Sequence, residues 1–114
     1  MTEETRRRLV DDREVELAMN WLRDNAAAIG KAKEQAVLTE KMVKHIRAIE
    51  MKKAGDLPIS AQERDAQASD AYKMAIYAEA VAAGEHEKMR ALREAASAKV
   101  DLWRSEQANL RVMR

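Results

Sequence analysis

Residues 55–63 read Gly55-Asp56-Leu57-Pro58-Ile59-Ser60-Ala61-Gln62-Glu63, and they hold the only proline in the chain. Gly55 suits the left-handed residue that closes a helix. Pro58 cannot continue one, because it has no N–H and its ring clashes with the preceding turn. Ser60, followed three residues later by Glu63, has the spacing of a capping box, which opens a helix by satisfying free backbone N–H groups. Long stretches with helical periodicity lie on either side. The reading is therefore all-α, a long antiparallel helical hairpin. A basic N-terminal arm over residues 1–10 leads into a first helical arm over 11–54. A turn over 55–59 then gives way to a second arm over 60–114.

Working back from the turn, the first arm carries Ala32, Ala36, Leu38, Thr39, Met42, Val43, Ile46 and Ile49 on one side at about 100° per residue. Lys33, Lys41, Lys44, Arg47 and Lys52 fall on roughly the opposite side. Earlier in the same arm, Val15, Met19, Leu22, Ala26 and Ile29 recur at steps of four and three, with Trp21 beside them. Asp11 and Glu14 mark its start. An unbroken helix from Asp12 to Ala54 would be about 65 Å long. Beyond the turn, Ala66, Ala68, Ala71, Ala75, Ala78 and Ala82 are spaced for one small-residue face. Met89, Leu92, Ala96, Val100, Trp103, Gln107 and Leu110 continue as a narrow stripe. Two alternatives stay open for the arms: straight helices, or arms cut at Gly30 and Gly84 into three or four shorter ones, a glycine in a helix costing about 1 kcal/mol relative to Ala.

Composition explains why such arms should associate. Of 114 residues, 36% are charged and 4% aromatic, with no Phe. Small domains bury proportionally little surface, and this set gives a thin core, so a coiled-coil-like homo-oligomer is expected to supply the missing burial. Formal net charge is +1, which excludes a general polycation and requires any nucleic-acid contact to come from local clustering. From Lys41 to Lys53 there are five Lys or Arg against the single Glu50, the largest local imbalance in the chain. Arg6-Arg7-Arg8 form a second basic run, read as a loosely helical terminus or as an arm touching phosphate. With no Cys, disulfides and thiolate metal sites are excluded. No apolar run approaches the ~20 residues of a membrane span, and the N-terminus lacks the apolar stretch of a signal peptide. A soluble cytoplasmic protein is expected.

Catalysis has little to stand on. His45 and His86 are the only imidazoles and lie on different arms, and Glu85-His86-Glu87 has no second His four residues away, so the metalloprotease pattern is absent. Most carboxylates have a Lys or Arg within four residues, the arrangement of solvent-facing pairs. No glycine-rich phosphate loop exists. No enzyme activity, cofactor or metal is expected.

Several stretches together resemble small phage and prophage helical proteins: Trp21-Leu22, the basic helix ending Ala48-Ile49-Glu50-Met51-Lys52-Lys53, the segment Ser60-Ala61-Gln62-Glu63-Arg64-Asp65-Ala66, Tyr72, and the tail Lys99–Arg111. More remotely, the layout over about residues 15–111 resembles the UvsY-like phage recombination mediators. That resemblance implies a non-enzymatic protein that binds single-stranded DNA, helps remove single-strand-binding protein and loads a recombinase as a ring-like homo-oligomer. It places phosphate contacts at Lys41, Lys44, Arg47, Lys52 and Lys53. The chain departs from the family in a shorter C-terminal part, through which that family assembles, and in its near-neutral charge. Patches repeated around an oligomer would offset the second difference, because phosphate contacts add across subunits. Stacking on bases would need exposed aromatics. Trp21 and Trp103 are expected to be buried, so binding should be mainly electrostatic. The alternatives are a helical adaptor or inhibitor that binds a host protein through a helix face, and a structural component of a virion.

Overall fold

The computed structural model describes residues 9–113. The arginine run Arg6-Arg7-Arg8 and the terminal Arg114 lie outside them. Among the described residues the chain is all-α, with helices α1 (Asp12–Lys53), α2 (Ile59–Ala68) and α3 (Asp70–Val112). α1 and α3, of 42 and 43 residues, are the two arms of a long antiparallel helical hairpin. α1 is capped at its start by Asp11, whose Oδ1 accepts a hydrogen bond from the Glu14 N–H at 2.7 Å, so the expected helix start is observed.

The central turn closes differently from the sequence reading. Gly55 does take the left-handed conformation, at φ 72°, and the Ala54 and Gly55 amides donate to Met51 and Lys52 carbonyls to end α1. α2, however, begins at Ile59, and Pro58 at its N-cap makes no side-chain cap bond. The Pro58 carbonyl accepts from the amides of both Ala61 and Gln62 at 2.9 Å. Ser60 therefore already lies inside the helix, and the expected Ser60–Glu63 capping box does not form. Gln62 locks the turn instead. Its Nε2 donates to the carbonyls of Gly55 (2.9 Å) and Leu57 (2.8 Å).

The arms are not interrupted at Gly30 or Gly84. Both glycines are helical, and an added Cβ at either would meet open space. The break falls instead at Ser69, between α2 and α3. Ser69 is extended (φ −72°, ψ 149°). Its hydroxyl donates to the Ala66 carbonyl at 2.7 Å and accepts from the Tyr72 N–H at 3.1 Å. One side chain thus terminates one helix and opens the next.

The buried faces follow a seven-residue repeat. On α1 the buried and half-buried positions include Val15, Ala18, Leu22, Asn25, Ile29, Ala32, Ala36, Thr39, Val43, Ile46 and Glu50. On α3 they include Tyr72, Ala75, Glu79, Ala82, His86, Met89, Ala96, Val100, Trp103, Gln107 and Leu110. Steps of three and four alternate, as in a left-handed coiled coil. The expected stripes share Val15, Leu22, Ile29, Ala75 and Ala82 with this seam but place the residues between them one position to the side, at 19, 26, 71 and 78 where the seam runs through 18, 25, 72 and 79. Met19, Ala26, Ala71, Ala78 and Leu92 are consequently exposed. Two polar residues on the seam bond within their own helix: Asn25 Nδ2 donates to the Trp21 carbonyl at 2.9 Å, and the Thr39 hydroxyl to that of Gln35 at 2.7 Å. They need no partner across the interface.

The chain divides into two compact units. The first comprises the residues up to Ala28 and from Met89 onward. Here Val10, Val15, Ala18, Ala96 and Val100 form a cluster against which Trp21, Leu22 and Trp103 pack. Val10 is buried, so the end of the expected N-terminal arm is anchored. The Leu9 amide donates to Glu106 Oε1 at 2.9 Å, and Trp103 Nε1 donates to Asp12 Oδ1 at 3.0 Å. The second unit, Ile29–Lys88, holds the remainder of α1, the turn, α2 and the start of α3.

Candidate nucleic-acid interface

The five candidate phosphate contacts all lie on the C-terminal part of α1, within the Ile29–Lys88 unit, and the structure separates them into three kinds. Lys41, Lys44 and Lys52 are exposed, and no ion pair engages them among the described residues. At 100° per residue they share an arc of about 80°, and Lys41 and Lys52 stand about 16 Å apart along the axis. Arg47 lies farther round and is half-buried. Its Nη2 is 3.4 Å from Glu63 Oε1 of α2, and its Nε is buried without a hydrogen-bond partner. It ties α2 to α1 more than it faces solvent. Lys53 reaches back to Glu50, 3.5 Å away, and lies about 120° from Lys41 in the opposite sense.

Electrostatics favours the exposed group. Glu50 is the only carboxylate between Lys41 and Lys53. Its side chain is 14% exposed and already engaged by Lys53. Lys52 and Lys53 also occupy the last turn of α1, where cations complement the unsatisfied carbonyls of a helix end. That structural role covers Lys53, whereas Lys41 and Lys44, a turn or more inside the helix, have no comparable one.

Of the four aromatics considered for base stacking, Trp21, Trp103 and Tyr72 are half-buried, so the tryptophans are less covered than expected. Tyr77 is 58% exposed, with the Lys73 ammonium 5.9 Å from its ring centre. His45 is exposed and His86 half-buried. Among the described residues, no three His, Asp or Glu side chains converge to hold a metal, and no helix is long and apolar enough to cross a membrane.

Reading the sequence missed an apolar groove in the same unit. It encloses about 510 Å³ between α1 and α3. Ala78 and Ala82 lie beside Met74, Tyr77 and Val81, with Gln35 and Thr39 contributed by α1. The signal was present as a second apolar series on α3, Met74, Ala78 and Val81, three or four residues apart and offset from the seam.

Comparison with known proteins gives no match: no family model, no curated protein and no solved structure is significantly similar to the chain.

Proposed function

We propose that this chain is a non-enzymatic accessory of phage DNA recombination, a homo-oligomeric mediator that binds single-stranded DNA and assists recombinase loading. The observation that carries the DNA contact is the arc of Lys41, Lys44 and Lys52, exposed and without carboxylate partners among the described residues. Phosphates are held mainly by Lys and Arg, and such contacts carry no sequence information, so binding is insensitive to base order. The recombination role and the phage origin rest on the resemblance of Trp21-Leu22, the basic helix and the 99–111 tail.

The test is a fluorescence-anisotropy titration of labelled single-stranded and duplex oligonucleotides at low and moderate salt. A salt-sensitive preference for the single strand is expected. Replacing Lys41 and Lys44 together with Ala should lower the slope of log K against log salt by about 1.4, at roughly 0.7 per single-strand phosphate contact. Absence of binding at low salt, where screening is weakest, would end this reading.

A further inference from the structure

We propose that the groove of the Ile29–Lys88 unit is the seam along which two copies of this chain pair, α1 and α3 of each joining a shared four-helix core. The proposal rests on the homo-oligomeric part of the reading above and is separate from its DNA-binding part.

The first argument is burial. Within this unit the buried hydrophobic residues are Ala32, Ala66 and Ala82. Meanwhile Met74 is 66% exposed and Val81 74%, and Tyr77 stands between them. Leu38 and Met42, also exposed, follow Gln35 at i+3 and i+7 and extend the same side of α1. Large apolar side chains grouped on one face, while the buried positions are alanines and Ile29, Val43 and Ile46 on the seam are only half-buried, are the mark of a surface built to be covered.

The second argument is area. A chain of 12.9 kDa folded alone exposes about 6,300 Å² by mass scaling, whereas this one exposes 8798 Å². The excess is spread over the whole chain and leaves room for the roughly 800 Å² per partner that a standard interface covers.

The third argument selects a second copy as the occupant. Met74, Tyr77 and Val81 form a ridge directly beside the small Ala78 and Ala82. Ridge and recess thus belong to one surface. A two-fold axis sets each copy's ridge over the other's alanines, a self-complementary contact closed by symmetry. Glu85 is the one charged residue lining the groove, so little selects for an oppositely charged foreign partner. The α1 residues that line the groove, Gln35 and Thr39, stand at least about 100° around the helix from Lys41, Lys44 and Lys52, whereas Leu38 on its margin lies about 40° from Lys52 and about 60° from Lys41.

The test is sedimentation equilibrium of the full chain across micromolar concentrations, with helix content followed by circular dichroism. The expected mass is twice 12.9 kDa. Val81→Glu, which buries an unpaired carboxylate in the pair, should weaken association by about 100-fold or more while helix content stays intact. Met74→Glu is a second variant on the same ridge, so loss of folding in one leaves the test standing. Ala83→Glu, on the opposite flank of α3, should leave the mass doubled. A single-chain mass for the unmodified protein, or doubled masses for both ridge variants, would overturn the proposal. Anisotropy on the same samples separates the two readings: a doubled mass without DNA binding removes only the DNA contact, and DNA binding by a single chain removes only the pairing.

Discussion

The two units use the same helices and the same seven-residue seam, yet fill them differently. In the unit formed by the two ends of the chain, valines and two half-buried tryptophans close the interface, with Trp103 fixed to Asp12. In the Ile29–Lys88 unit only alanines are buried, and Leu38, Met42, Met74, Tyr77 and Val81 remain exposed. A repeat of small residues brings two helices close but removes little apolar surface, on the order of 25 cal/mol per Å². Helical periodicity alone therefore does not tell a finished core from half of one. The size of the seam residues does.

The largest expected effect tests the finished half. Trp103→Ala removes a large side chain from the cluster and leaves Asp12 without the indole N–H. Urea unfolding followed by circular dichroism should show a loss of about 3 kcal/mol, at the low end for aromatic-to-alanine changes because the ring is only half-buried. A loss below about 1 kcal/mol would mean that this cluster does not hold the unit together.

A smaller loss is expected at the turn. Gln62→Ala deletes both side-chain bonds that close it, and should cost about 1 kcal/mol. Amides of α2 should then exchange faster with deuterium, while those of the tryptophan cluster stay unchanged. Equal acceleration in both places would show that the two regions open as one.

Gly84→Ala and Gly30→Ala should act in the opposite direction. Each glycine is helical with open space at the Cβ position, so each change should stabilise by up to about 1 kcal/mol in the same unfolding assay. Destabilisation at either would indicate a packed neighbour that covers it in the assembled protein.

The smallest effect bears on the DNA contact. Glu63→Ala releases Arg47 from a partly exposed ion pair, which should cost less than about 1 kcal/mol. Affinity for single-stranded DNA should rise modestly, because a guanidinium previously held by α2 becomes available. Unchanged affinity would confine the contact to the exposed lysines.

Much of the fold was legible in the residues. Asp11 and Glu14, Gly55 and Pro58 each carry a local instruction strong enough to survive any tertiary context. Ser69 was not read, because Ala-Ser-Asp-Ala within an alanine-rich run looks like uninterrupted helix and contains neither Gly nor Pro. That omission propagated to the candidate site. The pairing of Arg47 with Glu63 depends on where α2 lies, and α2 is set by the Ser69 break and the Pro58 carbonyl. Lys41, Lys44 and Lys52 were read as outward-facing from helical period alone, since an exposed face of a long helix needs no knowledge of its neighbours. The Ser60–Glu63 match failed for a related reason: the proline two residues earlier already supplies the helix with its first acceptor.

The seven-residue seam also constrains how this chain can change length. Removing one full heptad from α1 together with one from α3 returns every remaining seam residue to its own face. A deletion of one or two residues in a single arm turns the downstream stretch by about 100° or 200°; after loss of one residue early in α1, Lys33, Lys44 and Arg47 take the places of Ala32, Val43 and Ile46 at the contact. Length variation compatible with this hairpin therefore comes in matched steps of seven, one in each arm.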